Sequence, residues 1–181
     1  LINVLFVCLG NICRSPLAEG VFRHHVEAAG LDKWPDGGEQ PDGIFIDSAG
    51  TLDSHAGAAP DRRSILVAQK KGIDISAQVC RQISSADFED FDYILAMDKD
   101  NLKRLKELCP KELHGKLHLF LPFAKDLKGL SEIPDPYLFR DIEAFERVYD
   151  FVDRASKGLL EDIIRQHFPK DRGLSKAVGS P

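Results

Sequence analysis

Residues 2–9 (INVLFVCL) form an apolar, β-branched run, the pattern of a strand buried on both faces. Ser15-Pro16 then reads as a helix start, with Pro early and Glu19 in the first turn, and Leu17, Val21, Phe22, Val26 and Ala29 supply one apolar helical face. Residues 31–43 (LDKWPDGGEQPDG) hold three Asp, three Gly and two Pro, so they read as a loop before a second strand near 43–48. Asp61 opens a helix that Gly72 closes, and Ser84 with Asp87 has the spacing of a capping box. DYILAM (92–97) reads as a third strand, Asp100–Cys109 as a helix and LHLFL (117–121) as a fourth strand. Ile142, Phe145, Val148, Val152, Ala155, Leu159 and Ile163 step by three or four along a long final helix.

Strand and helix alternate throughout. That order predicts an α/β fold, a single doubly wound domain with four parallel strands and helices on both faces. The expected domain spans 1–168, followed by a polar tail over 169–181. In such sheets ligands bind beyond the carboxyl ends of the strands. Segments 8–15, 49–60, 98–101 and 122–140 should therefore share one face, with the Trp34 loop on the opposite one.

Composition adds mainly exclusions. At 181 residues, 43% apolar and 29% charged, the chain matches an ordinary globular domain rather than a disordered or fibrous one. A net charge of −5 offers no basic footprint for nucleic acid. No apolar run is long enough for a membrane span. The four cysteines, Cys8, Cys13, Cys80 and Cys109, contain no CxxC pair and make no disulfide framework, so reduced thiols in the cytoplasm are expected. An organelle remains open if a leader preceded Leu1. His24, His25, His55, His114 and His118 show no ligand spacing with the cysteines, so neither metal nor cofactor is expected.

The candidate chemistry lies between the first strand and the first helix. A tight loop there can turn successive N–H groups inward as an anion nest. Gly10 and Asn11 tolerate the left-handed backbone this needs. The helix N-terminus adds its positive end, and Arg14 adds a fork that can hold two oxyanion oxygens. Cys8 would meet all these positive groups, which favour a thiolate beneath a bound tetrahedral anion. A lone cysteine in a strand is more often core, and C-x5-R by itself is weak; the strand–nest–helix context carries the reading.

The stretch VLFVCLGNICRSPLAEGVF (4–22) closely resembles the opening of the low-molecular-weight protein tyrosine phosphatases. DSAGT (47–51), DFEDFDYILAMDKDNL (87–102) and PDPY (134–137) resemble the same family in order and spacing, so the likeness covers roughly residues 3–165. The resemblance implies hydrolysis of phosphotyrosine and small aryl phosphates through a phosphocysteine. Cys8 would be the nucleophile, Arg14 the phosphate clamp and Asp135 the general acid and then base. Leu9, Gly10, Asn11, Ile12, Cys13 and Ser15 would complete the phosphate loop, with the Ser15 hydroxyl donating to the thiolate; helix capping by Ser15 is the structural alternative. Asn11 and Ser48 would hold the loop's shape. Asp98 would orient the arginine, or equally cap the following helix. Cys13 would be a redox partner for Cys8, or a small apolar filler.

Tyr137 would wall the cleft. Ile12 stands where arginine phosphatases of this fold place a threonine, and an alkyl group suits a phenyl ring better than a guanidinium. There are departures. The aromatic residue the family often carries after DSA corresponds to Ser54, followed by His55. Leu138 and Phe139 follow Tyr137 in place of a tyrosine and glycine, and Lys71 stands for a frequent histidine. Expected partners are phosphotyrosine-containing proteins or peptides and phosphate- or vanadate-like oxyanions, bound by a monomer or weak dimer. Rival readings are an arsenate reductase of the same fold, for which only Cys80 offers a further thiol, and a non-catalytic phosphate-binding or redox-sensing module. A metal-dependent phosphatase lacks a visible carboxylate–histidine cluster.

Overall fold

The N-terminal apolar run becomes β1 (Ile2–Cys8), and the computed structural model describes residues 1–32 and 43–168. There follow α1 (Arg14–Ala28), β2 (Ile44–Gly50), α2 (Arg62–Gln69), α3 (Ser85–Asp90), β3 (Tyr93–Ala96), α4 (Lys99–Leu108), β4 (Leu117–Leu119) and α5 (Ile142–His167). Short 3-10 turns at Lys111–Lys116 and Leu121–Phe123 flank β4. The strands form one parallel sheet in the order β2-β1-β3-β4. Trp34 and the 169–181 tail lie outside the described residues.

The apolar run at β1 is continuous because both its faces are covered. Val4, Phe6 and Cys8 join α1 and α5 in one core, where the Phe6 ring meets Phe22 and Phe120 edge-on at 5.4 and 4.9 Å. Leu5 and Val7 join Phe88 of α3 and Leu105 of α4 in a second core. Each such side chain removed from water contributes about 1.5–3 kcal/mol. The sheet and both helical layers are thus fixed around the strand that ends at Cys8. A Cβ on Gly158 would lie 1.8 Å from the Phe123 carbonyl oxygen, so α5 seats directly on the chain after β4.

Helix ends follow local chemistry. Asp61, Asp98 and Asp141 accept from the backbone N–H of Arg63, Asn101 and Ala144, and Ser84 with Asp87 forms the capping box. Several details differ from the sequence reading: β3 and β4 are shorter than 92–97 and 117–121, and β4 gives way to the 3-10 turn at Leu121. β2 runs to Gly50 rather than stopping at Ser48, because it stays paired with β1 through Cys8. Ser15 does not cap α1: the helix begins at Arg14 with Cys13 at the cap, and the Ser15 side chain turns inward. Glu19 is one turn deeper than expected and is buried. Ala29 lies past the last helical residue and is exposed, so the buried face of α1 ends at Val26.

Candidate active site

At the carboxyl end of β1 the chain turns through residues 9–13 into α1. Donors outside the turn take its carbonyls: Thr51 and Leu52 N–H bond Cys8 and Leu9, Asp61 N–H bonds Ile12, and the Ser64 hydroxyl bonds Cys13. The amides of residues 10–13 donate to no other group among the described residues. Successive free amides in such a turn make an anion nest. The first turn of α1 adds to it, since no side chain caps that helix.

Asn11 makes the turn possible. Its φ is 54°, the left-handed region that asparagine tolerates better than most residues. Its Nδ2 donates to Ser15 Oγ (2.9 Å) and Ser48 Oγ (3.0 Å), and its Oδ1 accepts from Arg81 N (2.9 Å), which fixes which way the amide faces. Ser48 spends its proton on Glu19 Oε2 at 2.7 Å, so it can only accept from Asn11. Ser15, accepting from Asn11, keeps its proton for Cys8 Sγ at 3.1 Å or for the Ala49 carbonyl at 3.4 Å. The hydrogen-bond directions therefore diverge from the Asn11 amide, through Ser48 to buried Glu19 on one side and to Ser15 beside the sulfur on the other. Burial raises the Glu19 carboxyl above its usual range, partly offset by the Ser48 and Arg23 bonds. A Cβ on Gly50 would meet Asn11 N and Gly10 C at 2.9 Å, so only glycine lets β2 approach this closely.

Arg14 enters from the first position of α1, and its side chain is only 2% exposed. Nη1 donates to Asp98 Oδ2 (2.6 Å) and to the Ile133 carbonyl (2.9 Å), while Nη2 lies 3.3 Å from Asp135 Oδ2. Burial alone would lower the guanidinium pKa, but the Cys8 sulfur and the Asp98 and Asp135 carboxylates outweigh it and hold it above the ordinary value. Asp98 fills both positions left open by its sequence, because Oδ1 caps α4 while Oδ2 orients Arg14.

Cys8, Leu9, Gly10, Ile12, Cys13 and Arg14 line a cleft of about 230 Å³ together with Ser54, His55, Asp135 and Tyr137. The ring facing Tyr137 is His55, with centroids 5.8 Å apart, so the wall ascribed to the Ser54 position is supplied by its neighbour. Asp135 is 43% exposed, and its Oδ1 accepts from Tyr137 N at 3.1 Å. Cys13 is buried in the loop that carries Cys8; burial first, then the Asp61 carboxylate, push its thiol far above its ordinary pKa. Cys80 is buried and does not line the cleft. Among the described residues no cluster of three or more His, Cys, Asp or Glu is arranged to hold a metal ion.

Sequence reasoning overlooked Glu19, Arg81 and Arg63. Arg81 pairs with Asp47 and Asp87 while its amide holds Asn11, and Arg63 bonds carbonyls beyond Asp135. Their partners lie far off in sequence, and the only local hints were the Ser84–Asp87 and Asp61–Arg63 spacings.

The family model described as low molecular weight phosphotyrosine protein phosphatase matches residues 3–169. A phosphatase of that description from Schizosaccharomyces pombe is 41% identical over 162 residues, 90% of this chain and 97% of the relative. The crystal structure of a protein tyrosine phosphatase from Entamoeba histolytica superposes with TM-score 0.82 at 34% identity, covering 91% of this chain and 98% of that one. A drosophila arginine phosphatase superposes with TM-score 0.77 at 30% identity, covering 88% and 96%.

Proposed function

The chain belongs to the low molecular weight phosphotyrosine protein phosphatase family and is a phosphotyrosine phosphatase, and from that premise we propose how its residues carry the reaction. The free amides of residues 10–13 and the Arg14 fork hold the three non-bridging phosphate oxygens. The Cys8 thiolate attacks phosphorus opposite the phenolic oxygen; the S–P bond forms as the P–O bond breaks. Asp135 gives its proton to the departing phenolate and so becomes a carboxylate. That carboxylate then takes a proton from water attacking the phosphocysteine, phosphate leaves, and the Cys8 thiolate returns with Ser15 Oγ donating to it. Electrostatic stabilisation by groups already in position is the largest part of such catalysis.

One observation carries this reading: the Cys8 sulfur lies at a turn whose successive amides are free, with Arg14 and Asp135 brought to the same cleft. Ile12 lines the cleft beside Tyr137 and His55, and its alkyl group can pack on an aryl ring but gives a guanidinium leaving group no hydrogen bond, which supports phosphotyrosine over phosphoarginine. Cys13 is proposed as the redox partner: a Cys8 sulfenic acid would condense with its thiol to a disulfide, releasing water. The phosphatase domain is taken to span 1–168, acting on phosphotyrosyl proteins as a monomer or weak dimer in the cytoplasm. No helix is long and apolar enough to cross a membrane, among the described residues.

The test is hydrolysis of 4-nitrophenyl phosphate and a phosphotyrosyl peptide in the presence of a chelator. Wild type should turn over both and be inhibited by vanadate. Cys8→Ser should lose at least about 10⁴-fold in kcat. Residual turnover in Cys8→Ser near the wild-type rate would remove the phosphocysteine from the mechanism.

A further inference from the structure

Asp135 is 43% exposed and has little packing of its own to hold it over the cleft. Its loop is held instead by its backbone. At one end the Ile133 carbonyl accepts from Arg14 Nη1 at 2.9 Å, and Ile133 N donates to the Met97 carbonyl at 2.8 Å. At the other end Arg63 Nη2 donates to the Tyr137 carbonyl at 3.2 Å and Nη1 to the Phe139 carbonyl at 2.6 Å.

Arg63 is itself anchored on three sides. Nε and Nη2 bond Asp61 Oδ1 and Oδ2 at 3.0 and 2.9 Å, and the guanidinium lies over the Phe145 ring, 4.4 Å from its centroid. Asp61 N in turn donates to the Ile12 carbonyl of the phosphate loop at 2.8 Å. A short chain of bonds therefore joins the nucleophile's loop to the acid's loop: Ile12 to Asp61, Asp61 to Arg63, Arg63 to Tyr137. The last link reaches the acid directly, because Tyr137 N also donates to Asp135 Oδ1.

We propose that Arg63 is a positioning residue for acid catalysis: by holding the Tyr137 and Phe139 carbonyls against Asp61, it sets the reach of Asp135 over the Cys8 sulfur. The inference rests on the reading of Asp135 as the acid. Arg63 touches neither the phosphate nor the leaving group; it acts through the loop backbone. Its planar fork is what the geometry uses, since four bonds to three residues leave in fixed directions within one plane. A lysine ammonium can reproduce the charge but not that pattern. The bonds to Arg63 outweigh the effect of burial and keep the Asp61 carboxyl below its usual range, so the pair stays ionised through neutral and mildly acidic pH.

The experiment compares wild type, Arg63→Ala, Arg63→Lys and Asp135→Ala on aryl phosphates of falling leaving-group acidity, from 4-nitrophenyl to phenyl phosphate. Inhibition by vanadate is measured alongside. A misplaced acid should cost Arg63→Ala about tenfold or more in kcat/KM on phenyl phosphate, with less than about threefold lost on 4-nitrophenyl phosphate. Vanadate inhibition should stay within about twofold of wild type, since it reads the phosphate loop alone. Arg63→Lys should fall between the two, and it decides the question should the alanine variant not fold. Equal losses on both substrates, weakened vanadate inhibition or no loss in either variant would overturn the proposal. Asp135→Ala separates the layers: if its losses ignore the leaving group, the acid reading itself fails. If they follow the leaving group while those of the Arg63 variants do not, only the role of Arg63 falls.

Discussion

Residues 8–15 and residues 133–139 meet at Arg14, but the first segment is held by buried side chains as well as by its carbonyls, while the second is mostly exposed and bonded through its backbone. Asn11, Ser15 and Arg14 are each at most 2% exposed, and the Asn11 side chain that shapes the phosphate loop has partners in β2, α1 and the 80–82 segment. The acid loop carries Asp135, Tyr137 and Phe139, all about half exposed, and Leu138 at 89%. It is attached by carbonyls that two arginines hold. The contrast matches the two tasks. Stabilising charge at phosphorus calls for dipoles that do not reorganise, whereas admitting a substrate and passing a proton calls for a side chain with access.

Breaking the acid side should give the largest effect after loss of the nucleophile itself. Asp135→Ala is expected to lower kcat/KM on phenyl phosphate by about 10²-fold or more, and far less on substrates whose phenolate leaves unaided. Vanadate inhibition should persist. Equal slowing of good and poor leaving groups would place the proton transfer elsewhere.

The phosphate side should break differently. Asn11→Ala loses three hydrogen bonds and leaves a Cβ-bearing residue at a φ of 54°. We expect about tenfold or more lost in kcat/KM on every aryl phosphate alike, with vanadate weakened in parallel. Asn11→Gly relieves the backbone but not the lost bonds, so the difference between the two variants separates strain from hydrogen bonding.

The smallest effect sharpens the support beneath the loop and reads stability rather than rate. Burial would raise the Asp87 carboxyl, but the Arg81 and Ser84 bonds outweigh it and hold the group below its usual range. As pH falls the unfolded chain therefore takes up that proton first. The stability so gained is fully present above the ordinary carboxylate value of about 3.9 and is lost as pH falls through the native one. Arg81→Ala should cost about 2 kcal/mol in urea unfolding at neutral pH, narrowing toward zero below about pH 4. Glu19 has the opposite sign: its raised carboxyl adds stability below the ordinary glutamate range that fades as pH rises through the native value. A gap that stays constant with pH would show that Arg81 acts through packing alone.

The legible parts of the site share a physical reason. Cys8, Gly10, Asn11 and Arg14 lie within seven residues, so the strand–turn–helix chemistry that makes a nest is written contiguously, and periodicity placed that turn at a strand's carboxyl end. Asp135 was legible only through its resemblance to a known family, since an Asp between two prolines otherwise reads as a turn. Arg63, Arg81 and Glu19 were not legible. An arginine two residues past a capping Asp, an arginine before a capping box and a glutamate in a first helix each have an ordinary local explanation. What sets them apart is a partner 76, 34 or 29 residues away.

By itself the amino-acid order determined the alternation of strand and helix, the doubly buried first strand, the capped helix starts and the turn able to hold an anion, because each depends on backbone preferences and side chains a few residues apart. Only the tertiary structure decided that Ser15 faces the sulfur instead of capping its helix, that Asp98 serves two partners, that His55 makes the wall opposite Tyr137, and that Arg63 ties the two loops together. Those outcomes depend on which strands become neighbours, and the order β2-β1-β3-β4 is what brings Ser48, Asp98 and Asp135 to the end of β1.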